Sequence, residues 1–430
     1  MRIFRFSAAL ALAAAVPALA QTPVQVVAVP QLSTPKNETT SAGYTGTIAR
    51  QVADTITADL RSTGDLVPLG PDRLRVYSYP EATAPSFSYY RTTGAKAVVT
   101  GYVQARPDGR ITVACYVHDI KGVRELARKG FVVPPSEWKR AAHRCSDAVY
   151  SELTGRPGSF DTRIAYVAES GPRTALVKRV AVMAGDGSEH RFVTAGDSTV
   201  LSPRLSPDGD SLAYVSFTGG RPHVRLVDLE SGQDRAIAPE GAPSFAPRFS
   251  PEGRRLLFSM AIGGNTDIYI IDLDAPPASL RRLTTVPGVD TAPSFSPDGS
   301  QILFESDRSG TQQLYVMRAD GSDARRVSFG QGRYGSPAWS PDGELIAFTR
   351  IGLDGLRIGV MSPTGRDERI VTSGPDDQSP SWAASGRDLL FQRTVNGLSS
   401  LHTVSVNGGV PRRLSTPQGA SDPDWAGGTQ

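Results

Sequence analysis

One motif recurs through the C-terminal two-thirds of the chain and decides its architecture. It reads SPRLSPDGDSLAYVS from Ser202, APRFSPEGRRLLFSM from Ala246, APSFSPDGSQILFES from Ala292, SPAWSPDGELIAFTR from Ser336 and SPSWAASGRDLLFQR from Ser379, and ends in a truncated SDPDWAGG from Ser421. The leading prolines, at 203, 247, 293, 337, 380 and 423, are spaced by 44, 46, 44, 43 and 43 residues. A period of about 40 to 50 residues marks four-stranded propeller blades, each too small to bury its own apolar face and so stacked on the next.

Each unit opens with a short strand and a Pro-Asp-Gly turn, in which Pro presets φ and Gly supplies φ > 0, and continues into a strand of large apolar residues such as Ile302-Leu303-Phe304. Two further strands follow, as in Leu314-Tyr315-Val316-Met317 and Arg325-Arg326-Val327-Ser328. The ends of the array complement each other. It begins at Arg163-Ile164-Ala165-Tyr166-Val167-Ala168 without a preceding first strand, and the C-terminus supplies only that missing strand. Joining the two predicts a sixth blade and a ring with protected edges.

Residues 21–153 follow a different grammar. Val24 to Val29 reads as a strand, Ile48, Val52, Ile56 and Leu60 fall on one helical face, and Ala97–Val103 and Ile111–Val117 read as a hairpin. A helix is predicted from Ser136 to Leu153, introduced by Pro134-Pro135 and stopped near Gly155. The expected fold is therefore an α/β N-terminal domain (21–153), a linker (154–159), and an all-β six-bladed propeller (160–430) whose ring is closed by the first and last strands of the repeat region.

The first twenty residues carry Arg2 and Arg5, an apolar block from Ala8 to Val16, and Ala18-Leu19-Ala20, the pattern of a cleaved secretory signal peptide. Gln21 would follow the cut, where a lipoprotein needs Cys, so no lipid anchor is expected. Losing Arg2 and Arg5 takes the formal charge from +3 to +1, which leaves no basic excess for a phosphate backbone and argues against nucleic acid. Export places Cys115 and Cys145, the only cysteines, where disulfides persist, but sequence leaves their pairing open.

Catalytic ingredients are sparse. A G-x-S-x-G elbow is absent, and His118, His143, His190, His223 and His402 are scattered without metal-ligand spacing. Asp208, Glu252, Asp298 and Asp342 have a local explanation inside their turns, and Phe249, Phe295, Trp339 and Trp382 one as packing between blades. The segments entering each first strand, including Gly288 to Ala292, Arg333 to Ser336, Asp376 to Ser379 and Gly419 to Asp422, read as loops around one channel mouth. They suit either plain solvated connections or a concave seat for a partner, with Tyr334 as the one aromatic there and Asp376, Asp377 and Asp422 as a candidate cation cluster.

The order of parts resembles the TolB family of the bacterial Tol-Pal cell-envelope system along essentially the whole chain. The more specific matches are Arg163-Ile164-Ala165-Tyr166-Val167, the run from Ser202 to Val215, Leu314-Tyr315-Val316-Met317, and Glu152-Leu153-Thr154-Gly155. The resemblance implies a non-catalytic, monomeric periplasmic scaffold without cofactor or metal, linking the inner-membrane Tol complex to the peptidoglycan-associated lipoprotein Pal during constriction at division. It implies Pal docking at the channel mouth through Ala246, Thr291, Ala292, Ser336 and Ser379. The family's threonine is kept as Thr291, but its histidine is replaced by Pro243. It also assigns Gln21, Thr22, Pro23, Val24, Gln25, Val26 and Val27 to a tail that adds as a strand to the TolA C-terminal domain, a segment that equally reads as the first strand of the α/β domain. The rival reading is a periplasmic propeller enzyme, a metal-dependent lactonase or a glycan lyase.

Overall fold

The computed structural model describes residues 25–427 apart from 157, 186, 240 and 276–277, so the expected signal peptide lies outside the described residues. Among these residues no helix is long and apolar enough to cross a membrane.

The N-terminal part is a five-stranded sheet in the order Leu66–Leu69, Gln25–Ala28, Ala97–Ala105, Ile111–Asp119, Arg124–Val133. Its first three strands run parallel and the last three antiparallel. Helix α1 (Thr45–Ser62) lays the wholly buried Ile48, Val52, Ile56 and Leu60 against it. Helix α2 (Phe87–Thr92) is a short connection. Helix α3 (Trp138–Thr154) adds Ala141, Ala142, Cys145 and Val149 to the same core and stops at Gly155, whose φ of 70° is the left-handed cap that glycine adopts without steric cost. Cys145 is disulfide-bonded to Cys115 in the fourth strand of the sheet, with Cα atoms 6.1 Å apart, which fastens α3 covalently to the sheet.

The repeat region forms six four-stranded antiparallel sheets. Blade 1 is composite: Gly419–Gly427 pairs antiparallel with Thr162–Ser170, aligning Ala420 with Ala168 and Trp425 with Ile164. Blades 2 to 6 are continuous, with innermost strands Val200–Leu205, Ser244–Phe249, Asp290–Phe295, Arg333–Trp339 and Asp377–Trp382. The core of each junction is shared. Leu303 and Val316 of blade 4 pack with Trp339, Ile346 and Phe348 of blade 5, and Leu390 and Leu401 of blade 6 pack with Ile164 and Tyr166 of blade 1. In the turns, the Asp298 carboxylate accepts the Ser296 hydroxyl (2.6 Å) and the Ser300 amide (3.0 Å), and Gly299 sits at φ 69°. Asp208 and Asp342 repeat this arrangement, whereas Glu252 pairs with Arg255 at 2.7 Å.

Helix α3 meets the propeller at its turn end. Arg140 donates to the Asp208 carbonyl (2.7 Å) and pairs with Asp210 (3.0 Å) and Asp161 (3.4 Å), while Arg144 pairs with Asp161 at 2.7 Å. The buried Asp147 carboxylate accepts the Phe160 and Asp161 amides at 2.7 and 3.1 Å. Arg140 and Arg144 thereby line a cavity of about 730 Å³ together with residues from the turn end of the innermost strands.

Candidate functional site

Most of each segment entering a first strand belongs to the strand itself and is not a loop. The innermost strands already begin at Asp290, Arg333, Asp377 and Gly419, and Thr291 is a ladder residue opposite Glu305. Each innermost strand carries a β-bulge. Register shifts fall between Leu201 and Arg204, Phe245 and Arg248, Thr291 and Ser294, Gly335 and Ala338, Gln378 and Ser381, and Ser421 and Asp424. In each gap the residue before the proline takes a left-handed conformation: Ser202 (φ 50°), Ala246 (53°), Ala292 (48°), Ser336 (49°), Ser379 (56°) and Asp422 (48°). Non-glycine residues in this region are uncommon, and six at equivalent places mark a feature built into the ring. Ala246, Ala292, Ser336 and Ser379 are thus brought to one repeating position, which Ser202 and Asp422 share. Thr291 stands one residue before it.

Most of these bulges are stitched to the preceding blade. The Ser336 amide donates to the Glu305 carboxylate (2.5 Å), the Ser379 amide to the Thr349 hydroxyl (3.1 Å), and the Asp422 amide to the Gln392 side-chain Oε1 (3.1 Å). The Ser202 amide finds the Asp422 carboxylate instead, at 3.2 Å. Blades 3 and 4 depart from the pattern. The residue matching Glu305 before Ala246 is Val215, which has no side-chain acceptor, and before Ala292 it is Ser259, whose hydroxyl turns to Thr291 at 3.2 Å. Glu305 itself is buried, and desolvation pushes its carboxyl up to about 7 even though the Ser336 amide and the Gln312 side chain both donate to it.

Other residues read from sequence find different roles. Tyr334 is fully buried, with its hydroxyl donating to Glu368, so no aromatic from that segment stands in the mouth. Asp377 is buried in a two-point pair with Arg393 (2.6 and 2.8 Å) and Asp422 caps Ser202, so the proposed acidic cluster does not assemble. Among the described residues no three His, Cys, Asp or Glu side chains are grouped to hold a metal ion. Gln25, Val26 and Val27 lie inside the second strand of the N-terminal sheet, all three paired with Leu66–Leu69 and Val27 also with Ala97, and Val27 is wholly buried. Gln21, Thr22, Pro23 and Val24 fall outside the described residues.

Around the bulge end runs an apolar rim. Hairpins between second and third strands present Ile262, Leu353, Val395 and Leu398 to solvent, and the segment entering the innermost strand of blade 4 presents Val289. Bridges from Thr266 to Val289 and from Leu356 to Asp376 place the two kinds of segment side by side at this end. Exposed apolar surface gathered in this way is characteristic of a protein-docking face.

A further set escapes sequence reading. The residue after each leading proline is Arg204, Arg248, Ser294, Ala338, Ser381 or Asp424, and all six line the cavity. Writing the start of the motif as columns (SPR, APR, APS, SPA, SPS, DPD) would have exposed the position, since of these three columns it alone mixes opposite charges with small residues.

Comparison with known proteins agrees with this architecture. The family model described as "TolB beta propeller domain" matches residues 150–428, and that described as "TolB amino-terminal domain" matches residues 20–126. The chain is 48% identical over 211 residues to Tol-Pal system protein TolB of Zymomonas mobilis, covering 49% of this chain and 46% of that protein. It is 47% identical over 216 residues to its namesake in Rhizorhabdus wittichii, covering 48% and 49%. The matched stretch therefore spans about half the length of these curated relatives. The crystal structure of TolB from Acinetobacter baumannii superposes with a TM-score of 0.68 at 27% identity, covering 94% of this chain and 97% of that one. With the propeller family matched across 150–428 and the amino-terminal family across 20–126, the chain belongs to the TolB family.

Proposed function

We propose that the chain is a non-catalytic periplasmic scaffold of the Tol-Pal system, binding the lipoprotein Pal at the bulge end of its propeller and the TolA C-terminal domain through its N-terminal tail, and so serving outer-membrane integrity during constriction. The observation that carries the reading is the bulge ring inside its apolar rim. Among the described residues, blades 3 and 4 bring Ala246, Thr291 and Ala292 there without the side-chain caps found at Ser336 and Ser379. The amides of Ala246 and Ala292, which receive no side-chain cap among the described residues, are the groups offered to a partner's acceptors, and apolar side chains at the rim exclude water around them.

Titration calorimetry of the chain from Gln21 with the soluble domain of Pal from the same cell tests this. One-to-one saturable binding is expected, weakened at least about 100-fold by Ala292→Arg, which places a long cation on the docking face. Because Ala292 is a ladder-strand residue, a matching thermal melt is needed to show that the variant still folds. Absence of binding by the parent chain, or unchanged affinity in a folded variant, defeats the assignment.

The TolA arm needs a shorter deletion than the sequence alone implies. Removing Gln25 to Val27 would take a paired strand out of the sheet. Deleting only Gln21–Val24 is expected to abolish TolA binding while leaving Pal affinity equal or higher. Parallel loss of both would contradict separate sites.

A further inference from the structure

The channel cavity is charged on one side only. Blades 1, 2 and 3 contribute Asp424, Arg204 and Arg248, and blades 4, 5 and 6 contribute Ser294, Ala338 and Ser381 at the equivalent places. The two guanidiniums share one carboxylate. Arg248 Nη1 donates to Asp424 Oδ1 at 2.9 Å, Arg204 Nε lies 3.9 Å from the same oxygen, and Asp424 Oδ2 is occupied by the Leu205 amide at 2.9 Å. All three side chains are largely enclosed, at 14% exposure for Arg204, 20% for Arg248 and 8% for Asp424.

Other carboxylates of the cavity wall are engaged elsewhere: Asp161 with Arg140 and Arg144, Asp208 within its own turn, and Glu252 with Arg255. Arg163, also in the wall, donates to the Gly209 carbonyl at 3.0 Å. Burial, with Arg204 beside it, pulls the Arg248 guanidinium down to about 9, as expected of a cation short of counter-charge. A buried guanidinium carries five donors in a planar fork, and Arg248 makes one hydrogen bond among the described residues.

From the paired guanidiniums, their single shared carboxylate and the cavity before them, we infer that this crescent is a binding site for a small oxyanion, a carboxylate or a phosphate. Arg248 supplies the fork, Arg204 the second charge, and the walls at Phe295, Trp339 and Trp382 take an apolar body where the ligand has one. The site lies deeper than the bulge ring and stands independently of Pal docking. Inorganic phosphate and benzoate serve as probes of the two ligand sources.

Tryptophan fluorescence reads the site directly, since Trp339, Trp382 and Trp425 line the cavity. At constant ionic strength against chloride, the full chain is expected to bind at least one probe saturably below about 10 mM. Arg204→Met and Arg248→Met should each weaken binding about tenfold or more, and Asp424→Asn, which removes the competing carboxylate, should tighten it. The opposite signs separate a ligand site from a purely structural cluster, and Arg204→Met with Asp424→Asn decide the matter if Arg248→Met fails to fold. Saturation by benzoate alone assigns a carboxylate ligand, and by phosphate alone a phosphate. Absence of saturation with both probes, or equal affinity across the parent and the variants, overturns the inference.

Discussion

Replacing Cys115 and Cys145 together by alanine is expected to lower the stability of the N-terminal unit by about 3 to 4 kcal/mol, the loop-closure value for partners 30 residues apart. Both side chains are buried, so the variants also lose sulfur packing, but alanine leaves only small voids. The effect should reach beyond that unit. Helix α3 carries Arg140, Arg144 and Asp147, so its loosening frees the groups that hold the turn end of the propeller. Urea unfolding followed by far-ultraviolet circular dichroism checks this, with an early transition separating from the propeller's in the double variant. Coincident, unshifted transitions would mean that the bridge contributes nothing in solution.

Glu305→Gln is expected to stabilise the chain at pH 8 by about 2 to 3 kcal/mol and to have no effect at pH 4.5. The Glu305 carboxyl is raised from 4.5 to about 7 by burial, so the folded chain keeps a proton that the unfolded chain has released between these values. Stability from this group is therefore full below about 4.5 and is lost as pH rises through 7, by about 1.4 kcal/mol for each pH unit between the two values. Glutamine retains an oxygen for the Ser336 amide and removes the titration. Asp147, raised to about 7 by burial, titrates in the same window, so the variant should keep a reduced slope. An unaltered slope between pH 5 and pH 8 would acquit Glu305 as the titrating group.

The blades are legible because their spacing repeats and their turns are punctuated by Pro and Gly, signals that act locally and survive without tertiary context. Helices α1 and α3 are legible from apolar periodicity and from Pro134-Pro135 and Gly155. Arg124–Val133 escapes notice as an edge strand because RELARKGFVV is largely exposed and does not alternate. Leu66–Leu69 does so because it is short and contains Pro68, which an edge position tolerates. The bulges are illegible for a different reason. Their left-handed residues are Ser, Ala and Asp, none of them the glycine that usually announces positive φ, and the ring rather than the local sequence holds them there. That Tyr334 and Asp377 are interior partners of Glu368 and Arg393 depends on contacts between distant strands, which no sequence window contains.

Six blades of one repeat produce a nearly rotationally symmetric ring, and such a ring offers a docking partner six almost degenerate azimuths. Here the degeneracy is lifted from within. Charged residues occupy half of the circle after the prolines and small ones the other half, the capped bulge at Ser336 stands next to the uncapped one at Ala292, and α3 is fastened beside blades 1 and 2 through Asp161 and Asp210. Under the proposed docking, a partner entering the bulge end would therefore meet a keyway with one correct angle. The bearing of anything seated there relative to the N-terminal unit is fixed by the chain itself, without any direct contact between the two.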